Sequence, residues 1–136
     1  MHHTRHGIRA YQSAQQAMPP LKAVVMLYDG ILARIARAAD ANRKKDYERQ
    51  FNEVMAAAKI IQGLNQCLDT EVGGTVAQSL RDFYETVGSS LLRSTGRRYG
   101  AKYLDQLAAA VRTTRDAWAT ISETTPFPDV SLVPKK

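Results

Sequence analysis

A chain of 136 residues suits one compact domain and is long enough to bury a core without a disulfide or a structural metal. The single cysteine, Cys67, excludes an internal disulfide framework and reads as a reduced thiol, most simply a small buried apolar residue. The net charge of +6 is spread over short groups in different segments with acids interleaved, which argues for a solvated surface rather than one contiguous nucleic-acid footprint.

The opening residues, Met1 to Gly7, carry no apolar h-region, and no run reaches the roughly 20 apolar residues that a membrane span needs. The expectation is a protein of the cytosol with no membrane insertion. Residues 1–18, with Ile8, Ala10 and Tyr11 as their main apolar members, are too short and weakly patterned for a bundle helix. They read as a flexible N-terminal arm or cap.

From Leu21 the apolar residues Val24, Val25, Tyr28, Ile31, Leu32 and Ile35 follow the three-and-four spacing of one helical face. Pro19 and Pro20 stand where a helix can begin without losing a hydrogen bond. After a polar break at Asn42–Lys44, Asp46 is placed to cap a second helix. Its stripe runs through Tyr47, Phe51, Val54, Met55, Ala58, Ile61, Leu64 and Leu68. Leu68 to Gly74 reads as the connection that ends it, because paired glycines disfavour helix and permit positive φ.

A third helix carries Val76, Leu80, Phe83, Val87 and Leu91. Gly96 and Gly100 bracket a basic turn at Arg97–Tyr99. A fourth stripe follows through Leu104, Leu107, Val111, Thr114, Trp118 and Ile121, with Trp118 read as a core plug. Pro126, Pro128 and Pro134 make residues 125–136 a flexible, disordered C-terminal tail. The fold class is therefore all-α, an antiparallel up-down four-helix bundle over residues 19–124.

Chemistry is sparse in this pattern. All three histidines, His2, His3 and His6, lie in the arm, so the bundle offers no imidazole for zinc, haem or proton transfer. Cys67 has no histidine in the bundle to activate it, and Gly73–Gly74 lacks the third glycine and the lysine of a phosphate loop. The reading is a binding protein and not an enzyme. It calls for no catalytic residue, metal, cofactor or small-molecule substrate.

The block Leu27-Tyr28-Asp29-Gly30-Ile31-Leu32 resembles one in the first long helix of the flagellar export chaperones of the FliS family. The resemblance continues in order through Asn52-Glu53, Ile60 to Asn65, Leu68-Asp69 with Gly73-Gly74, Leu80 to Tyr84, and Arg115 to Trp118. Tyr11-Gln12 is similar to the tyrosine-containing leader of that family. The chain departs from the pattern after Tyr84, at Ser89, Ser90, Ser94 and Thr95, and by one inserted residue before Leu104.

This resemblance implies a cytosolic chaperone that binds the disordered C-terminal region of flagellin and prevents premature polymerisation. It further implies delivery of the subunit to the flagellar type III secretion apparatus through an export gate component. The candidate partner-binding residues are Ile8, Tyr11, Tyr28, Asp29 and Tyr84. Tyr28 lies on the apolar stripe, so core packing with a hydroxyl reaching solvent stands beside client contact. Asp29 lies next to the stripe, where it could accept a backbone N–H from an incoming chain or form an ordinary surface ion pair. Ile8 and Tyr11 could let the arm rest in the client groove. Two alternatives stay open: a general helical adaptor for another secreted or filament protein, and a small basic nucleic-acid-binding bundle, whose affinity would fall steeply with salt.

Overall fold

The computed structural model describes residues 20–95 and 99–124. Four helices fill that span: α1 (Leu21–Arg43), α2 (Tyr47–Gln66), α3 (Thr70–Arg93) and α4 (Ala101–Thr124), and no strand occurs among the described residues. Consecutive helices pack side by side and α4 returns to α1, which closes an antiparallel four-helix ring. No described helix is long and apolar enough to cross a membrane.

Local signals set the boundaries. Pro20 precedes the first helical residue and its carbonyl accepts from Val24 N at 3.0 Å. α1 ends in a tight reversal in which Lys45 takes φ 59° and Asp46 N reaches back to Ala41 O at 2.8 Å. Asp46 then caps α2, its carboxylate accepting from Arg49 N. Asp69 does the same for α3, accepting from Glu71 N and Val72 N at 3.0 and 3.2 Å.

This last cap adds detail to the second connection, expected over Leu68–Gly74. The chain turns at Cys67–Asp69, and the glycine pair lies inside the α3 span. Gly74 adopts φ 60° and ψ −136° there, a conformation open to glycine and strained for residues with a Cβ, so the helical path breaks at the glycine as expected, and a short helical turn from Thr70 joins the main run of α3 across a kink. Cys67 is corrected: it is exposed at the end of α2 and does not belong to the core.

The core is built from one line of each helix. Val24, Tyr28, Ile31 and Ile35 of α1 meet Val54, Ala57, Ile61 and Leu64 of α2, Ala77, Tyr84, Val87 and Leu91 of α3, and Leu104, Val111 and Trp118 of α4. The apolar stripes read from sequence were wider than the surfaces the bundle covers. Tyr47, Phe51 and Met55 of α2, Val76 of α3 and Ile121 of α4 are exposed, although spacing assigned them to the core. A helix in a four-membered ring buries only an arc of its surface, and residues at the edge of a broad stripe stay outside it. The arm with Ile8 and Tyr11, the Arg97–Arg98 turn and the tail from residue 125 lie outside the described residues.

Candidate partner-binding site

Tyr28 and Tyr84 are brought together in the centre of the bundle. α1 and α3 occupy opposite corners of the ring, and these two side chains span the diagonal between them. Their hydroxyl oxygens share a hydrogen bond at 3.0 Å, and their rings are tilted by 58° with centroids 6.3 Å apart. Both residues are buried, so the Tyr28 hydroxyl meets Tyr84 and does not reach solvent. Burial pushes the ionisation of both phenols up. For Tyr84 the shared hydrogen bond pushes further in the same direction, whereas for Tyr28 it offsets part of the shift. The buried indole Nε1 of Trp118 completes no hydrogen bond, although it lies near enough to the Tyr28 hydroxyl to favour the phenolate slightly.

Asp29, one residue further along α1, points away from this pair. Its carboxylate is gripped by Arg115 of α4 through Nε at 2.8 Å and a second guanidinium nitrogen at 3.3 Å. Arg115 also meets Asp116, and the Asp29 contact holds its guanidinium charge more firmly than usual. On the other flank, a Cβ placed on Gly30 would lie 3.4 Å from Ile60 Cδ1, an ordinary contact distance, so this side of α1 packs against α2. Three consecutive residues of α1 thus address three different helices.

The opposite end of the bundle holds a polar knot that sequence reading missed. Asn42 donates to Gln50 Oε1 at 3.1 Å and accepts from Ala101 N at 3.0 Å, which satisfies a first-turn amide of α4. Gln50 Nε2 donates to the carbonyl of Ser94 at 3.3 Å, and both residues are buried. A glutamine in the sequence interval between two apolar positions carries no signal for this. Only the register of α2 against the end of α3 reveals it.

Apart from Met26 and Leu27 on α1 and Val72 near the start of α3, the large exposed apolar side chains fall into two groups on either side of α3. On α2, Arg49 and Glu53 pair with Asp40 and Arg34 of α1, which marks the α1 edge. Tyr47, Phe51 and Met55 lie past the opposite edge of the buried line, toward α3, whose exposed Leu92 continues the patch. On α4 the α1 edge is marked by Arg115 and by Asp105, which pairs with Arg43. Leu107, Thr114 and Ile121 therefore face α3. The partners of this second group follow from symmetry. On α1 the position before the core line faces α2, as Arg34 shows, and α3 runs parallel to α1 at the opposite corner. The positions before the α3 core line, Val76 and Phe83, therefore face α4.

These two helices approach each other far less closely than any other adjacent pair. The result is an open apolar seam lined by Val76, Leu80 and Phe83 of α3 and Leu107 and Ile121 of α4. Val76 is 59% exposed and Ile121 44%. Such a surface can receive an amphipathic segment by covering its apolar face. Among the described residues no group of His, Cys, Asp and Glu is placed to hold a metal ion.

The model of the family described as flagellar protein FliS matches residues 5–125. The chain belongs to the FliS family. A flagellar secretion chaperone FliS from Salmonella typhimurium is 28% identical over 131 residues, 92% of this chain and 96% of the relative. One from Campylobacter jejuni is 40% identical over 76 residues, 55% of this chain and 59% of the relative. A flagellar secretion chaperone FliSB from Pseudomonas aeruginosa is 28% identical over 103 residues, 76% and 81% of the two chains.

The blocks that carry the FliS resemblance are far apart in sequence and adjacent in space. Tyr28 meets Tyr84, Asp29 meets Arg115, and Gly30 meets Ile60. At the FliS departures, Ser94 is fully buried, ends α3 and offers its carbonyl to Gln50, while its hydroxyl binds Leu91 O. Ser90 is buried and accepts from Arg93, and Ser89 is exposed. Thr95 bonds back to Leu92 O at 2.8 Å. The serine-rich stretch thus terminates α3 with its own hydroxyls.

Proposed function

We propose that this chain is a cytosolic flagellar export chaperone, a binding protein and not an enzyme. Its client is the disordered C-terminal region of flagellin, which it keeps from polymerising and passes to the type III apparatus through the export gate. The observation that carries this reading is the open apolar seam between α3 and α4 on a bundle of the FliS family. The relatives' names supply the process, since each is called a flagellar secretion chaperone.

A disordered client would lay amphipathic turns into the seam and onto the α2 patch, losing chain entropy as it orders. In this reading Tyr28, Tyr84 and Asp29 serve the client from behind. The tyrosine bridge fixes the spacing of α1 and α3, and the Asp29–Arg115 pair anchors α4 to α1, which together hold the seam at its width. Ile8 and Tyr11 would meet the client or the surface it uses, and deletion of residues 1–17 should then change client affinity.

The nucleic-acid alternative has little to recommend it. Arg34, Arg43, Lys44, Arg49 and Arg115 are each engaged by a carboxylate, and they spread over different faces. Calorimetric titration with a flagellin C-terminal segment at low and moderate salt tests the proposal. One-to-one binding with little salt dependence is expected. Absence of binding would remove flagellin as the client, and a steep salt dependence would favour the electrostatic alternative.

A further inference from the structure

The seam lies beside the end of α4, where the chain continues for another twelve residues, 125–136. We propose that this C-terminal segment is an internal occupant of the α3–α4 seam and competes there with the client, an inference that rests on the client reading above. Three features of the chain support it.

The first is position. α3 and α4 are antiparallel, so the end of α4 lies next to the start of α3, at the level of the kink and of Val76. From there the seam runs to Phe83 and the acidic positions beyond it, roughly 20 Å along a helix that rises 1.5 Å per residue. An extended chain of this length reaches about 40 Å at about 3.3 Å per residue, so the segment can follow the seam without strain.

The second is pattern. Phe127, Val130, Leu132 and Val133 give an otherwise polar, proline-punctuated segment four apolar side chains. Pro126, Pro128 and Pro134 keep it from helix and reduce the entropy lost on docking in an extended form.

The third is charge. Asp82, Glu85, Thr86, Ser89 and Arg93 line a shallow depression on the outer face of α3, just past the seam. Among the described residues neither Asp82 nor Glu85 is paired with a cation, Asp82 receiving only the Gln78 amide. Lys135 and Lys136 follow the apolar stretch by the few residues needed to reach these carboxylates. A segment that runs apolar and then basic thus matches a surface that runs apolar and then offers two unpaired carboxylates against the single cation Arg93, which is engaged by the Ser90 hydroxyl.

The test uses the full chain with Cys67→Ser, to remove the exposed native thiol, and Ser131→Cys, to carry a nitroxide. Amide resonances of Val76, Leu80, Phe83 and Ile121 should be broadened by the nitroxide, at high and low protein concentration alike, while those of Tyr47 and Phe51 stay sharp. Lys135→Glu with Lys136→Glu should weaken the broadening. Even broadening over the whole bundle, none at all, or broadening that grows with protein concentration would overturn the proposal, the last by identifying a second copy as the occupant.

A chain ending at Thr124 supplies the functional readout. If the segment fills the seam about nine-tenths of the time, truncation should tighten flagellin binding about tenfold. Equal affinity of the full and shortened chains would overturn the competition and leave the chaperone reading standing. Seam broadening in a chain that binds no flagellin, shortened or not, would support the docking while ending the client assignment.

Discussion

The tyrosine bridge allows a quantitative test of how the bundle is held together. In Tyr84→Phe the ring stays in place while the Tyr28 hydroxyl, fully buried, loses its partner. An unsatisfied buried hydroxyl costs about 1–3 kcal/mol, and a site with no solvent access belongs near the middle of that range, about 2 kcal/mol. Tyr28→Phe strands the Tyr84 hydroxyl instead, which is 4% exposed and can recover some hydration, so about 1 kcal/mol is expected. The double variant removes both hydroxyls and strands neither, so it should cost about 1 kcal/mol rather than the sum of about 3, a coupling of about 2 kcal/mol. Urea unfolding followed through the emission of Trp118, the single tryptophan, measures all four proteins. Single costs that add to within about 0.4 kcal/mol would show that the two hydroxyls are not energetically linked and would refute the reasoning.

The same pair sets the response to alkali. Both phenols ionise later in the folded chain than in the unfolded one, so their contribution is fully present below about pH 10 and is lost as pH rises toward the folded values, at up to about 1.4 kcal/mol per pH unit for each tyrosine. Unfolding curves between about pH 10 and about pH 12 should fall more steeply for the parent than for the double phenylalanine variant. Asn42→Ala should cost about 1–2 kcal/mol in denaturant unfolding, because it uncaps Ala101 N and leaves Gln50 Oε1 without its donor. Lys45→Gly should stabilise the chain by about 0.5–1 kcal/mol, read as a rise in thermal midpoint, since Lys45 holds φ 59° at no evident gain.

Sequence pattern carried the architecture because each helix has one dominant apolar line and a start signal that acts locally. Asp46 shows this well: a carboxylate before a periodic run caps α2 whatever surrounds it. At Gly73–Gly74 the break was legible, and the helical turn that precedes it from Thr70 was not. Glycine marks where unusual φ is allowed, which Gly74 uses, whereas the Asp69 cap starts a helical turn ahead of it that the glycine pair gives no sign of.

The site was less legible, because the period of a stripe says which residues lie on one face but not how wide an arc the neighbours cover. Tyr47, Phe51 and Val76 sit on apolar faces and outside the core for that reason. Tyr28 and Tyr84 drew notice separately, as candidate partner contacts, and their burial against each other depends on a contact between residues 56 apart in sequence. The bond between Gln50 and Ser94 depends on a similar long-range register. The seam itself arises from an uneven spacing of four helices, a property of the assembled ring that no single segment encodes.

The most direct test of the account is a parallel titration of a flagellin C-terminal segment into the parent chain and into a seam variant, Val76→Ser with Ile121→Ser. Both side chains are substantially exposed, so the variant should keep its fold and its unfolding midpoint. The account predicts that it loses client affinity by about tenfold or more, as expected when apolar anchors are removed from a docking groove. Unchanged affinity in a folded variant would contradict it, and would move the client from the α3–α4 seam to another face of the bundle.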